Sequence, residues 1–173
     1  MSALVSKVVG LWRGADGKTA EVAYEGSDKS GPENWATVYA LIAPRINYQT
    51  AIELDEGVRI LLPTNEIGHV LPDRSGVLVL FKADRAPQGN LMHHLPPNNA
   101  AIFNADGSLR FQLQNPFGAS GSFRAALRNR RSDGVVELGV RVCPMSYPVC
   151  ETVYVLDGST PDISKQLPRW VRD

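Results

Sequence analysis

In the stretch "SLRFQLQ", residues 108–114, Leu109, Phe111 and Leu113 alternate with Arg110, Gln112 and Gln114. A period of two sends one set of side chains to a core and the other to water, which predicts a strand. The preceding "AAIF" supplies a return arm, with Asn104-Ala105-Asp106-Gly107 between the two. Aspartate accepts hydrogen bonds from nearby backbone donors and glycine takes positive φ at little cost, so a hairpin is predicted here.

Four further segments follow the same logic. "KVVGLWR" and "TAEVAYE" flank Ala15-Asp16-Gly17, and "YQTAIEL" and "VRILLP" flank Asp55-Glu56-Gly57. "HVL" and "VLVLFK" flank a turn ending at Gly76, and "FRAALRN" and "VVELGVRV" flank Arg131-Ser132-Asp133-Gly134. The spacing is uneven, so these are not repeats of one unit. The expected fold is mainly β, a single domain over 1–173. It is an antiparallel meander of hairpins forming a sandwich or a partly open barrel, with at most one or two short helices.

Segment 33–43 is ambiguous. Ser30 and Glu33 have capping-box spacing, Pro32 suits a first helical position, and Trp35, Val38, Tyr39 and Ile42 repeat at helical spacing. The same segment is rich in strand formers and its neighbours are strands, which tips the expectation towards a strand. Residues 83–100 lack periodicity, contain three prolines, and are expected to join two halves of the sheet system. In the tail, a helical turn near 164–167 and packing of Trp170 onto the body are expected.

Composition adds limits. With 173 residues, 43% hydrophobic and 21% charged, the chain has the make-up of an ordinary globular domain. Formal charge is zero overall but uneven. Residues 1–66 carry nine acids and six bases, whereas 67–135 carry four acids and eight bases. No apolar run approaches the roughly 20 residues that span a bilayer, so membrane insertion is not expected. The opening "MSALVSKVVGLWRGADG" lacks the apolar core and cleavage site of a secretory signal, and a cytoplasmic location is expected. Cys143 and Cys150 enclose six residues including two prolines. They are read as lying on two arms of one hairpin, either as a disulfide or as a reduced half-buried pair. Their spacing is neither a zinc nor a redox motif.

Candidate chemistry is sparse. His69, His93 and His94 lack a metal-binding spacing, although Glu66 or Asp73 lies near His69 in sequence. "FGASGSF" reads as a bend, not a nucleophile elbow. There is no phosphate-binding loop or dinucleotide fingerprint, so no catalytic residue, metal or cofactor is assigned. Two charged clusters remain as partner-binding candidates. One is the acidic set Glu53, Asp55 and Glu56; the other is the basic hairpin bearing Arg124, Arg128, Arg130 and Arg131. Phe123 is the one aromatic close to those arginines, so a nucleic-acid partner is not expected.

Asn104 to Phe111 ("NADGSLRF"), joined to "ETVYVLDGST" with Tyr154, Leu156 and Asp157 and to the final "PRWVRD", resembles small β-rich immunity proteins of bacterial polymorphic and contact-dependent toxin systems. The resemblance covers at most the C-terminal 75 residues and consists mainly of turn chemistry. The cysteine-bounded loop and the long N-terminal half depart from it. It implies a cytoplasmic protein that neutralises a cognate toxin by tight binding without catalysis. The leading expectation is therefore a non-enzymatic protein-binding domain of this kind. The alternatives are a small-molecule-binding or catalytic β-barrel, favoured by a deep pocket gathering a histidine with carboxylates, and a structural or assembly subunit.

Overall fold

A computed structural model describes residues 3–25, 32–84, 89–144 and 153–163. The first sheet has the order β2-β1-β3-β4, built from β1 (Val5–Arg13), β2 (Thr19–Glu25), β3 (Ile46–Leu54) and β4 (Arg59–Leu62). The middle sheet is a meander of β5 (Gly68–Val70), β6 (Gly76–Leu80), β7 (Ala100–Asn104) and β8 (Leu109–Gln112). The third contains β9 (Gly121–Arg130), β10 (Val136–Pro144) and β11 (Val153–Leu156), with β10 central. All strand pairs within these sheets are antiparallel, and the five predicted hairpins are present.

Among the described residues the sheets stack as three layers and do not close into a barrel. Side chains alternate along β6 and β7, and here both faces are apolar. Val77, Val79, Ala101 and Phe103 pack with Val8, Ile52 and Leu62 of the first sheet. Leu78, Ala100 and Ile102 pack with Phe123, Leu138, Val140 and Leu156 of the third. This double burial is why "GVLVL" and "AAIF" read as continuous apolar runs instead of alternating ones.

The Asp-Gly turns prove to be one device. Ser108 N donates to Asp106 Oδ1 at 2.9 Å, Val135 N to Asp133 Oδ1 at 3.1 Å, and Ser159 N to Asp157 Oδ1 at 2.8 Å. The hydroxyl of Ser108, and after it the Ser108 amide, hold the Asp106 carboxyl below the usual carboxylate range. Gly107 has φ of 83° and sits so close to β4 that a Cβ would lie 2.8 Å from Ile60 Cγ2. The β7–β8 hairpin is thus a scaffold contact between the middle and first sheets.

Several expectations need correction. Residues Pro32–Tyr39 form a helix, α1, not a strand. Pro32 occupies its first position, and Trp35 and Tyr39, one turn apart, stack at 6.1 Å while Val38 is buried. The Arg45 guanidinium then takes the carbonyls of Leu41 and Tyr39 at 2.9 and 2.8 Å, satisfying the helix end. Leu109, Phe111 and Leu113 do not share one face. The register shifts between Ile102↔Phe111 and Phe103↔Leu109, leaving Leu109 40% exposed while Leu113 is fully buried. Arg110 lies at this bulge. It donates to Asn104 Oδ1, to the carbonyls of Ser75 and Gly158, and to Ser75 Oγ, tying three turns together. The segment after β6 links β6 to its own neighbour β7 instead of joining two halves of the sheet system. "FGASGSF" is a bend, as expected, with a 3-10 turn at Gly118–Ser120 leading into β9. The predicted tail turn near 164–167 and Trp170 lie outside the described residues.

Candidate functional site

The first sheet has an inward face that changes character along its length. On β1, Val8, Gly10 and Trp12 occupy alternate positions. Val8 pairs with Tyr24 and Ile52, Gly10 with Val22 and Thr50, and Trp12 with Ala20 and, past a register shift, Asn47. Val8 and Ile52 belong to the apolar core against the middle sheet. Two rows further on, Trp12 and Asn47 face a cavity of ≈ 730 Å³, within the range typical of small-molecule sites.

The cavity lies where the three sheets meet. Trp12, Tyr24 and Asn47 of the first sheet form one wall, together with Trp35 of α1. Trp35 meets Trp12 edge-to-face at 5.6 Å and Tyr24 edge-to-face at 6.1 Å, which makes a continuous aromatic surface. Gly10 lies beneath this group. A Cβ there would stand 3.1 Å from Trp12 Nε1, 3.3 Å from Tyr24 Cε2 and 3.7 Å from Asn47 Nδ2.

The segment from β4 to β5 crosses over β3 and supplies the next wall. Asn47 Nδ2 donates to the Asn65 carbonyl at 2.5 Å, Asn65 Nδ2 returns a bond to the Asn47 carbonyl at 3.0 Å, and Thr50 Oγ1 donates to the Glu66 carbonyl at 2.8 Å. Glu66 and His69 both line the cavity; Glu66 is 2% exposed, and its Oε1 accepts from the Lys82 backbone N–H at 3.3 Å. The third wall is β9, with Ser122, Arg124 and Arg128. Asn99 fixes that strand by donating to the carbonyls of Phe81 and Phe123 at 2.7 and 3.0 Å and accepting from Phe123 N at 2.9 Å.

Around this cavity the hydrogen bonding is incomplete. Asn47 Oδ1 and Ser122 Oγ are buried without a partner on residues only 4% and 2% exposed. Trp12 Nε1 and the Tyr24 hydroxyl are likewise buried, and they face each other. Burial pushes the Tyr24 phenol up to about 12, and the hydrogen bond from the Trp12 indole offsets only part of that. Each buried polar atom left without a partner costs about 1–3 kcal/mol. Asn47 Oδ1 and Ser122 Oγ are two such atoms, on residues that border the cavity.

The candidates named from sequence fall in different places. Glu53 is held between Lys7 at 2.8 Å and Arg59, whose Nη1 also reaches Glu21 Oε1 at 2.7 Å. These contacts, the Lys7 bond first, hold the Glu53 carboxyl below its usual range. Asp55 pairs with Arg74, while Glu56 is exposed at the same turn. On the basic hairpin, Arg131 pairs with Asp133 at 3.0 Å, and Arg128 donates to the Val70 carbonyl. Arg124 and Arg130 are exposed on β9 and form no ion pair among the described residues. Cys143 is buried near the end of β10, 5% exposed; Cys150 lies outside the described residues. His93 and His94 stand edge-on to Phe81 at 5.5 and 4.9 Å, and burial lowers the His94 pKa, with His93 adding to the effect. No group of three or more metal-binding side chains occurs among the described residues.

No known protein family, curated protein or solved structure matches the chain. The site is therefore read from its own chemistry. Trp12, Tyr24, Trp35, Asn47 and Ser122 were not singled out by sequence reasoning. Alternation gave no signal for Asn47: it lies one residue before the predicted strand at 48–54 and out of phase with the inward-facing Thr50, and only the register shift between Leu11 and Trp12 brings it opposite Trp12.

Proposed function

We propose that this chain is a ligand-binding β-protein whose working site is the cavity framed by Trp12, Trp35, Asn47 and Ser122. The observation that carries this reading is a cavity of ≈ 730 Å³ lined by the aromatic residues Trp12, Tyr24 and Trp35 and by the buried polar residues Asn47, Glu66 and Ser122. A concave site of this size, with aromatic walls and a few polar groups, is the usual form of a small-molecule site. His69 and the buried Glu66 both line this cavity, which supports this reading over that of a plain scaffold.

The test is a thermal-shift screen of a metabolite library on the wild-type chain, Trp12→Phe and Ser122→Ala. Binding at the cavity requires compounds that raise Tm in the wild type and raise it less in both variants. A library without a stabiliser, or one stabilising all three chains equally, overturns the proposal.

A second reading is that of a protein-neutralising partner of the immunity type, acting in the cytoplasm. It draws on the exposed charges of Arg124 and Arg130, and of Glu56 on the β3–β4 turn. Pull-down with the product of an adjacent toxin-like gene tests it, and capture abolished by Arg124→Glu with Arg130→Glu supports it. Capture that survives this double change, or no capture, removes it.

A further inference from the structure

We infer that the free edge of β9 docks an extended acidic peptide segment, which adds as a further strand beside Ala126–Arg130. This does not depend on a small molecule in the cavity, and it uses the arginines of the second reading without requiring a toxin as the partner. In the order β11-β10-β9, β9 is an edge strand of ten residues, against seven for β2 and three or four for β4, β5, β8 and β11. Arg131 N donates to the Val135 carbonyl at 2.9 Å, so that pair bonds across the hairpin. In an antiparallel ladder, the backbone groups of successive residues turn alternately to the partner and to the opposite side. The register from Arg130↔Val136 to Ala126↔Val140 is unbroken. Asn129 and Leu127 therefore turn their N–H and C=O to β10, whereas Ala126, Arg128 and Arg130 turn theirs to the open side.

One residue of such a partner is already imitated within the fold. Near the start of β9, the Asn99 side-chain amide donates to the Phe123 carbonyl at 3.0 Å and accepts from Phe123 N at 2.9 Å, the two bonds a neighbouring strand would make. A bulge follows, between Phe123↔Val142 and Ala125↔Arg141, and the open side resumes at Ala126. There no hydrogen bond among the described residues reaches the backbone of Ala126 or Arg130 from outside β10. Ala125 and Ala126 border the cavity, so open space lies beside this part of the strand. Unpaired strand groups of this kind are the template for strand addition.

The charge of the edge selects the occupant. Arg124 and Arg130, at the two ends of the open segment, are exposed and form no ion pair among the described residues. Arg131 differs, being paired with Asp133 at 3.0 Å and Glu137 at 3.6 Å. Each guanidinium offers a carboxylate a planar fork of donors. A second copy of this chain is a poor occupant. Pairing β9 with β9 would lay Arg124, Arg128 and Arg130 of one copy beside those of the other, and like charges across a strand pair are destabilising. Arginines that deter self-pairing favour a strand carrying glutamate or aspartate.

The experiment follows the backbone amides of the intact nitrogen-15-labelled chain. In the free chain, the amides of Ala126 and Arg130 should exchange with solvent faster than those of Leu127 and Asn129, which bond to β10. The probes are capped peptides of about eight residues, long enough to span the segment, that alternate valine with glutamate, glutamine or lysine. A fourth is the glutamate peptide with its backbone nitrogens methylated, which keeps the charge and removes the donors. The glutamate peptide should bind saturably, shifting the Ala126 and Arg130 amides and slowing their exchange. The glutamine peptide, or Arg124→Gln with Arg130→Gln, should weaken binding about three- to tenfold, the worth of two exposed ion pairs. The lysine and methylated peptides should not bind. Ala126 and Arg130 amides already protected in the free chain, whether by its own residues or by a second copy, overturn the proposal. So do equal binding of the glutamate and lysine peptides, undiminished binding of the methylated one, and binding of none, which would leave the arginines as guards of the edge alone.

Discussion

The middle sheet and the cavity wall use the same alternation code and fill it with opposite content. Along β6 and β7, every residue from Gly76 to Val79 and from Ala100 to Phe103 is buried, and the side chains on each face meet apolar partners. Along β1, the inward set runs from Val8 through Gly10 to Trp12, and there the apolar partners give out. Asn47 and Ser122 bring polar atoms to the boundary and leave Asn47 Oδ1 and Ser122 Oγ unpaired. In the first region the side chains close the fold; in the second, two neutral polar atoms are buried without a partner, at a cost. Sites are expected where a protein departs from local self-consistency, and this boundary is the clearest such place among the described residues.

The largest expected effect lies in the middle sheet. Phe103 is fully buried between the layers, so Phe103→Ala should cost about 3–5 kcal/mol in urea denaturation, the usual range for a buried aromatic. A cost below about 1 kcal/mol would mean that the two layers do not meet there. Gly76→Ala should cost less, about 1–3 kcal/mol, because its Cβ would stand 2.1 Å from the Phe103 carbonyl and the backbone must shift to admit it. A neutral result would show that β6 and β7 approach less closely than described.

At the cavity wall the sign changes. Ser122→Ala removes an unpartnered hydroxyl, so stability should stay level or rise by about 1 kcal/mol while ligand-induced stabilisation falls. A clear destabilisation would show that Ser122 Oγ has a structural partner, and would erase the contrast between the two regions. The smallest effect is at the far end of the first sheet. Glu53 has a depressed carboxyl pKa, so its contribution is present above the ordinary carboxylate pKa and fades as pH falls through the folded value. The wild type should exceed Glu53→Gln by at most about 1 kcal/mol at neutral pH, with the gap closing in acid. A gap that widens in acid would contradict the ion-pair account.

Much of the scaffold was legible in the sequence because it depends on short-range chemistry. Asp106-Gly107 and Asp133-Gly134 announce their turns by residue type alone, and the flanking alternation supplies the strands. Layering was partly legible: "VLVLF" and "AAIF" are apolar on both sides, which a two-layer sandwich with one wet face does not require. The bulge at Arg110 was not legible, since a one-residue register change leaves no mark on composition yet moves Leu109 off the core face. The helix at Pro32–Tyr39 was half-legible: its capping and i, i+4 signals competed with strand-forming residues, and stacking of Trp35 on Tyr39 with burial of Val38 favoured the helix.

The site was the least legible part. Asn47 and Ser122 are 75 positions apart in sequence and meet only through the stacking of sheets. Charged clusters, conspicuous in the sequence, proved largely self-paired around Glu53 and Arg131, whereas the neutral polar atoms that lack partners carry no sequence signature. Residue type shows what a side chain can bond; the three-dimensional arrangement shows whether it has done so.

The central claim is that the cavity bordered by Trp12, Asn47 and Ser122 takes a ligand. The Trp12 indole tests this most directly, by its proton chemical shift in the nitrogen-15-labelled chain with and without the strongest stabiliser from the library screen. The expected result is a saturable shift of the Trp12 indole proton on binding, while amides of Val77–Val79 and Ile102–Phe103 stay in place. An indole resonance that does not move while the compound binds would contradict it.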